Sequence, residues 1–196
     1  ETSKALQHKI SLLENNLSTK SKSYANKILF GEEIYLALEL RKAGLGLLGN
    51  IKGDKKAVAC IEDTAVALKD LSSYITEFTQ LMRGFDQRAV YYAHAGAGEL
   101  HLRPILNLKK EKDVKLFKEI TYEVAILVKK YKGSFSGEHG DGRVRASFIN
   151  MLVGDKNYQL FRETKQIFDP KNIFNPGKIV DALPMETDLR YKPNRK

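Results

Sequence analysis

The stretch RAVYYAHAGAGELHLRPILNL, residues 88–108, decides how this chain is expected to fold. Two apolar runs flank Gly96 and Gly98. This pattern predicts two strands joined by a reversal of the chain, because glycine adopts positive φ without steric cost. The reversal also brings His94 and His101 together. A continuous helix would separate these histidines by about 10 Å along its axis, and an extended strand by more than about 20 Å.

The strand that follows the reversal is expected to have one polar face and one apolar face. Alternation places His101, Arg103 and Asn107 on the polar face and the intervening leucines on the other. Pro104 has no amide hydrogen to donate, so we expect this strand to lie at an edge or to carry a bulge there.

Hydrophobic periodicity assigns the other elements. The predicted helices cover residues 4–17, 32–43, 68–82, 111–131 and 155–168, the predicted strands cover 56–61, 88–93 and 101–108, and residues 62–64 form an acidic turn. Interleaved in this way, the elements predict an α+β fold in which an antiparallel sheet has helices packed on one face. We expect a single domain over residues 1–196, with a helical lead-in (1–30), a core (31–183) and a tail (184–196).

The segment GLGLLG, residues 44–49, has the glycine spacing of a dinucleotide-binding loop. That motif requires a strand before it and a helix after it, because the pyrophosphate binds at the amino end of the new helix. Here a predicted helix precedes the glycines and a loop containing glycine and lysine follows them. We therefore expect a tight or mobile loop and not a nucleotide site.

Composition narrows the classes of function. The formal net charge is +9, but the lysines are dispersed, which favours a generally basic surface over a nucleic-acid site. No apolar stretch approaches the roughly eighteen residues that a membrane span needs. Cys60 is the only cysteine, which excludes an intramolecular disulfide and predicts a reducing, cytoplasmic setting. The first residue is Glu1, so we expect the sequence to be part of a longer protein.

A second glycine-rich cluster, SGEHGDGR at residues 136–143, carries candidate functional residues. Glu138 could add a carboxylate to His94 and His101, giving a metal site with positions left open for substrate. Neutral His139, beside it, could act as a general base. The alternative is a glycine-rich turn with solvated charges, and surface histidines with no ligand.

Several segments together resemble a known family. They are HAGAGELHLRPILNL, SGEHGDGRVR and FDPKNIFNPGKI, supported by ELRKAGLGLLGN and IEDTAV. These motifs resemble the C-terminal, substrate-side domain of FAD-linked oxidases of the vanillyl-alcohol oxidase superfamily, which includes D-lactate, glycolate and D-2-hydroxyglutarate dehydrogenases. The resemblance runs from about residue 39 to residue 191. It is greatest to the subgroup that carries a further iron–sulfur domain.

The resemblance implies roles for individual residues. It assigns the metal ligands to His94, His101 and Glu138, the catalytic base to His139, the substrate-binding arginines to Arg41 and Arg103, and the flavin-proximal positions to Asn175 and Lys178. The FAD itself would be held mainly by a preceding flavin-binding domain that these residues do not include. Many relatives have Asp-Gly-Asn where this chain has Ala97, Gly98 and Glu99, so metal affinity or identity is expected to differ.

The implied function is the oxidation of a D-2-hydroxy acid by hydride transfer to FAD, with a divalent zinc, manganese or iron ion at the site. The expected partners are a small 2-hydroxy acid, the flavin-binding domain of the same chain, and an iron–sulfur domain or another electron acceptor. We expect no nucleic-acid partner. Two alternatives remain from the residues alone: a metal-dependent hydrolase without flavin, which would activate water at the same ligands, and a basic binding module.

Overall fold

The computed structural model describes residues 2–194, apart from the side chain of Leu45. The chain divides into two compact units, residues 1–47 and 48–196. The first unit holds helix α1 (Ser3–Lys20) and most of α2 (Glu32–Gly49). The Oγ1 atom of Thr2 accepts a hydrogen bond from the Ala5 amide at 3.3 Å, which satisfies one of the free donors at the start of α1.

The second unit contains every strand of the described chain and four complete α-helices. In order they are β1 (Lys56–Ala57), β2 (Ile61–Ala65), α3 (Leu71–Gly84), β3 (Ala89–His94), β4 (Glu99–Leu106), α4 (Glu111–Lys130), α5 (Ala146–Val153) and α6 (Asp155–Phe168). No helix or strand is present in residues 169–194. Helix α6 ends just before Asp169-Pro170, because the residue before a proline disfavours the helical conformation.

The sheet is antiparallel and centred on β4. Strand β3 pairs with β4 on one side, while β2 and then β1 pair with it on the other. One face packs on helices through buried side chains from α3 (Tyr74, Phe78, Met82), α4 (Phe117, Ile120, Val124, Val128) and β4 (Leu100, Leu102, Leu106). The prediction of an α+β fold with an antiparallel sheet is confirmed, and the polar residues of β4 are left for the other face.

Helix α2 corrects the prediction for the GLGLLG segment. The helix does not stop before Gly44 but continues to Gly49. Glycine inside a helix costs only about 1 kcal/mol relative to alanine, and the leucines between these glycines are good helix formers. Since a helix precedes the glycines, the segment lacks the strand that a dinucleotide-binding loop requires.

Strand β2 corrects the prediction of an acidic turn at residues 62–64. Glu62, Asp63 and Thr64 are all buried and belong to the strand. The ladder pairs Ile61 with Leu102 and Thr64 with Leu100, so Glu62 and Asp63 together oppose His101. Two residues facing one is the geometry of a β-bulge, and Asp63 adopts a φ of 54° there. The bulge places two adjacent carboxylates beside one histidine.

Pro104 lies in the central strand, so of the two expected placements, an edge or a bulge, the edge is wrong. The proline is tolerated because the pairing of β4 is interrupted beside it: pairing with β2 begins at Leu102 and pairing with β1 ends at Ile105. Its carbonyl accepts a hydrogen bond from the Val58 amide at 2.8 Å.

Helix α5 had no counterpart in the sequence prediction.

Cys60 is fully buried and carries no disulfide. Burial raises the pKa of its thiol to about 11. Among residues 2–194, no helix is both long and apolar enough to cross a bilayer.

Candidate metal centre

The β3–β4 hairpin brings two of the predicted ligands together. Its register places His94 opposite Glu99 and Tyr92 opposite His101, and directly opposed residues point to the same face of the sheet. The ring centroids of His94 and His101 are 5.3 Å apart. The expected reversal of the chain is therefore present, and strand register sets the distance between the histidines.

The third predicted ligand comes from the loop that follows α4. The Oε1 atom of Glu138 lies 3.9 Å from Nε2 of His94 and 3.6 Å from Nε2 of His101. One ligand atom from each of these residues lies within 4.8 Å of the other two. Ligands bound at about 2.1 Å to one ion lie at most about 4.2 Å apart, so a small inward movement would close the group on a cation. Two imidazoles and a carboxylate suit zinc, manganese or iron.

His139 lies beside this group and not within it. Its Nε2 atom is 3.1 Å from Oε1 of Glu138, and its ring centroid is 5.7 Å from that of His101. The side chain is half exposed, so a small molecule bound next to the three ligands could reach it.

Glu62 lies behind His101, on the side away from Glu138. Its Oε1 atom is 3.4 Å from Nδ1 of His101, and it accepts hydrogen bonds from the Tyr92 hydroxyl at 2.8 Å and from Arg103 at 2.5 Å. Burial raises the pKa of Glu62, but Arg103 and Tyr92 outweigh it and hold the pKa below its usual value. A carboxylate behind Nδ1 leaves Nε2 of His101 facing the ligand group.

Tyr92 fixes His101 from a second direction. The two rings stack with centroids 4.4 Å apart and planes tilted by 15°. His101 is only 3% exposed, whereas the His94 side chain is half exposed. The ligand group therefore has one rigid, buried member and one accessible member.

Asp63 holds the loop that carries Glu138 and His139. Its Oδ2 atom accepts hydrogen bonds from the amides of Glu138 at 2.9 Å and His139 at 2.7 Å, and from the Ser136 hydroxyl at 2.7 Å. Burial raises the pKa of Asp63, but the amides and Arg145 outweigh it and keep the pKa below its usual value. A buried, ionised carboxylate thus fixes the backbone of this loop.

Arg145 completes the support of the same loop. Its guanidinium is buried and donates hydrogen bonds to Asp63 at 2.5 Å, to the Gly140 carbonyl at 2.6 Å and to the Phe135 carbonyl at 2.9 Å. It also donates to the carbonyl of Glu62. The alternative of a glycine-rich turn with solvated charges therefore does not hold for Arg145, which is buried.

The remaining predicted residues lie in different parts of the chain. Arg41 is exposed on α2, in the first unit. Arg103 lies beside the ligand group, with its side chain 14% exposed and paired to Glu62. Asn175 and Lys178 lie in the coil after α6, and Asn175 adopts a φ of 47°.

Sequence reasoning missed Glu62, Asp63, Tyr92 and Arg145 as functional residues. The motif IEDTAV contained a usable signal, because two adjacent carboxylates follow an apolar run there. Strand alternation places Tyr92 on the same face as His94 and the exposed Tyr91 on the other face, so the period of two was a usable signal there.

Sequence comparison identifies relatives of this chain among named dehydrogenases. The chain is 41% identical over 158 residues to a D-2-hydroxyglutarate dehydrogenase of Haemophilus influenzae, covering 81% of this chain and 15% of that protein. It is 38% identical over 162 residues to one of Escherichia coli, covering 80% and 16%. It is 33% identical over 132 residues to a D-lactate dehydrogenase of Archaeoglobus fulgidus, covering 67% and 29%. The chain thus spans less than a third of each of these relatives.

The candidate ligands and their supporting residues all fall inside one family match. Residues 25–179 match the family described as FAD linked oxidases, C-terminal domain. That range includes β2, the β3–β4 hairpin and the loop after α4. Because the match covers most of the chain, this protein belongs to the FAD linked oxidases, and the chain corresponds to their C-terminal domain.

Proposed function

We propose that this chain is the substrate- and metal-binding part of an FAD-dependent D-2-hydroxy acid dehydrogenase. The observation that carries the proposal is the convergence of His94, His101 and Glu138 beside His139. Relatives named D-2-hydroxyglutarate dehydrogenase and D-lactate dehydrogenase support this class of substrate.

His94, His101 and Glu138 would hold a divalent zinc, manganese or iron ion. When bound, such an ion supplies Lewis-acid polarisation and a fixed template for a hydroxyl and a neighbouring carboxylate. His101 is the preorganised ligand, because its ring is buried, stacks on Tyr92 and has its Nδ1 atom 3.4 Å from Glu62.

His139 is the proposed general base. Its imidazole accepts the proton of the substrate hydroxyl while the hydrogen on the α-carbon leaves as hydride. The hydrogen bond from its amide to Asp63 fixes its position relative to Glu138. FAD, held mainly by the flavin-binding domain of the same protein, supplies the hydride acceptor.

Arg41 and Arg103 would bind substrate carboxylates, since a guanidinium pairs with a carboxylate through two parallel hydrogen bonds. Arg103 is already paired with Glu62, so it would offer a substrate only its remaining donors. One of these, Nε, is buried and makes no hydrogen bond. Asn175 and Lys178 would contact the flavin.

The proposal also covers the electron acceptor and the cellular compartment. The electrons would pass from the flavin to an iron–sulfur domain of the same protein or to another acceptor. The single, buried thiol of Cys60 supports a reducing, cytoplasmic compartment.

The test is the substitution His139→Ala in the intact protein. Loss of a general base is expected to lower kcat by about 10²–10⁴-fold. Turnover is followed as bleaching of the flavin absorbance on addition of D-2-hydroxyglutarate, D-lactate or glycolate. Flavin and metal content should stay at wild-type levels, because His139 is not among the proposed ligands.

His8→Ala is the matched control, since His8 is exposed on α1. The flavin of the His8→Ala protein should bleach at the wild-type rate. Full activity in His139→Ala would reject His139 as the base. If none of the D-2-hydroxy acids bleaches the wild-type flavin, the substrate class is wrong.

A further inference from the structure

Glu99 is a buried carboxylate that the ligand group described above does not use. It is 8% exposed, and its Oε1 atom makes no hydrogen bond. A buried carboxylate with an unsatisfied oxygen is costly unless a cation or a donor reaches it. This oxygen therefore needs a partner that the protein itself does not supply.

The position of Glu99 points to that partner. Its Oε1 atom lies 3.9 Å from Nε2 of His101, the nitrogen that faces Glu138. Strand register places Glu99 directly opposite His94, on the same face of the sheet. The carboxylate therefore borders the gap between His94, His101 and Glu138.

The charges around the gap lead to the same conclusion. Glu62 pairs with Arg103, and Asp63 pairs with Arg145. Within residues 48–194, by contrast, no lysine or arginine forms a salt bridge with Glu99 or Glu138. One divalent cation would neutralise these two carboxylates.

We propose that Glu99 is a fourth protein ligand of the divalent cation, a step that rests on the proposed function. Glu99 is not among the residues whose ligand atoms already lie within 4.8 Å of one another, so ligation requires its side chain to turn. Oε1 makes no hydrogen bond that such a turn would break.

A fourth ligand of this kind changes which ion the site prefers. Two imidazoles and two carboxylates form a donor set that is richer in hard oxygen atoms than two imidazoles and one carboxylate. Carboxylate oxygens suit manganese, whereas imidazole nitrogens suit zinc and iron well. Glu99 is therefore expected to contribute more to Mn²⁺ affinity than to Zn²⁺ affinity.

The test measures metal affinity in the intact protein after removal of bound metal with a chelator. Mn²⁺ and Zn²⁺ are titrated separately in competition with a chromophoric chelator. Glu99→Gln should weaken Mn²⁺ binding by about 10–100-fold, the range seen when a supporting carboxylate is lost, and Zn²⁺ binding by less. Glu123→Gln is the control, because it removes an equal charge from an exposed position on α4 and should change neither affinity.

A second readout separates ligation from a structural role. The metal-free Glu99→Gln protein should melt at the wild-type temperature or above it, since an unpaired buried charge has been removed. A structural Glu99 would instead give a lower melting temperature with and without metal. If Glu99→Gln does not fold, Glu99→Asp retracts the carboxylate and should also weaken Mn²⁺ binding.

The outcomes distinguish this inference from the proposed function. Unchanged Mn²⁺ affinity in the folded Glu99 variants, together with weaker binding in Glu138→Gln, would overturn the role of Glu99 alone. A wild-type protein that binds neither ion would overturn the metal site on which both proposals depend.

Discussion

The β3–β4 hairpin and the loop after α4 both contribute to the candidate metal centre, and they are held in different ways. The hairpin loop, residues 95–98, joins β3 to β4, and continuous pairing from Ala89–Pro104 to His94–Glu99 sets its geometry. The acidic loop, residues 136–142, lies outside the strands and helices. Asp63 and Arg145 hold it through bonds from buried side chains to its backbone.

This difference separates the two halves of the site. The positions of His94 and His101 depend on the backbone conformation of the hairpin, so they should respond to substitution of a glycine in its loop. The positions of Glu138 and His139 depend on one buried ion pair, so they should respond to changes in charge. Each half can therefore be perturbed while the other is kept.

The largest effect is expected from Arg145→Ala, which breaks the support of the acidic loop. The substitution leaves Asp63 as a buried charge without its cation and removes donors from several buried carbonyls. Removing one partner of a buried ion pair costs about 3–5 kcal/mol in free energy of unfolding. Urea denaturation measures this loss.

Arg143→Ala is the control for this prediction. Arg143 is half exposed and lies 3.4 Å from Asp188, so its removal should cost at most about 1 kcal/mol. Hydrogen exchange in Arg145→Ala should increase in residues 136–142 and stay unchanged in the β3–β4 hairpin. Equal increases in both regions would show that the two loops are not supported independently.

The hairpin half of the site was predictable from sequence, and the acidic half only in part. Apolar alternation on both sides of Gly96 and Gly98 identifies the hairpin, because strand pairing is a local and periodic property. The predicted helix over residues 155–168 coincides with α6 for the same reason. The acidic loop has no period, and its conformation depends on residues more than 70 positions away, such as Asp63.

Dependence on residues distant in sequence also explains the errors in predicting residues 62–64 and Pro104. Glu62 and Asp63 were predicted to form a turn because charged residues are rarely buried. Their burial in β2 depends on pairing with Arg103 and Arg145. Those arginines lie about 40 and 80 positions further along the chain. Pro104 was expected at an edge or at a bulge, because the sequence alone does not show the gap in pairing between β1 and β2.

Gly98→Ala should have the next largest effect, and it acts on the hairpin half. Gly98 has a φ of 74°, and an added Cβ would lie 2.1 Å from the carbonyl oxygen of Val66. The clash with backbone adds to the cost of positive φ, and together they should lower the free energy of unfolding by about 2–3 kcal/mol.

Gly140→Ala is the matched comparison in the acidic loop. Gly140 has a similar φ of 76°, but no atom lies within 4 Å of an added Cβ. Only the conformational cost remains, which is about 1 kcal/mol. Equal losses for the two variants, measured by urea denaturation, would mean that the close packing of the hairpin loop against Val66 adds nothing to the cost.

The smallest effect is expected from Tyr92→Phe, which tests how firmly His101 is supported. The phenylalanine ring can keep the stacking on His101, but the hydrogen bond from the hydroxyl to Glu62 is lost. A hydrogen bond to a charged group contributes about 1.5 kcal/mol or more. The free energy of unfolding at neutral pH should fall by about that amount.

The difference in free energy of unfolding between wild type and Tyr92→Phe should also depend on pH. Burial and the Glu62 carboxylate raise the pKa of Tyr92 to about 12. The unfolded chain loses the same proton near pH 10, so folding is favoured by Tyr92 below about pH 10 and progressively less between pH 10 and 12. The stability advantage of wild type over Tyr92→Phe should therefore be constant up to about pH 10 and decline above it. A difference that stays constant to pH 12 would show that the hydroxyl does not interact with Glu62, and the carboxylate would then position His101 without help from Tyr92.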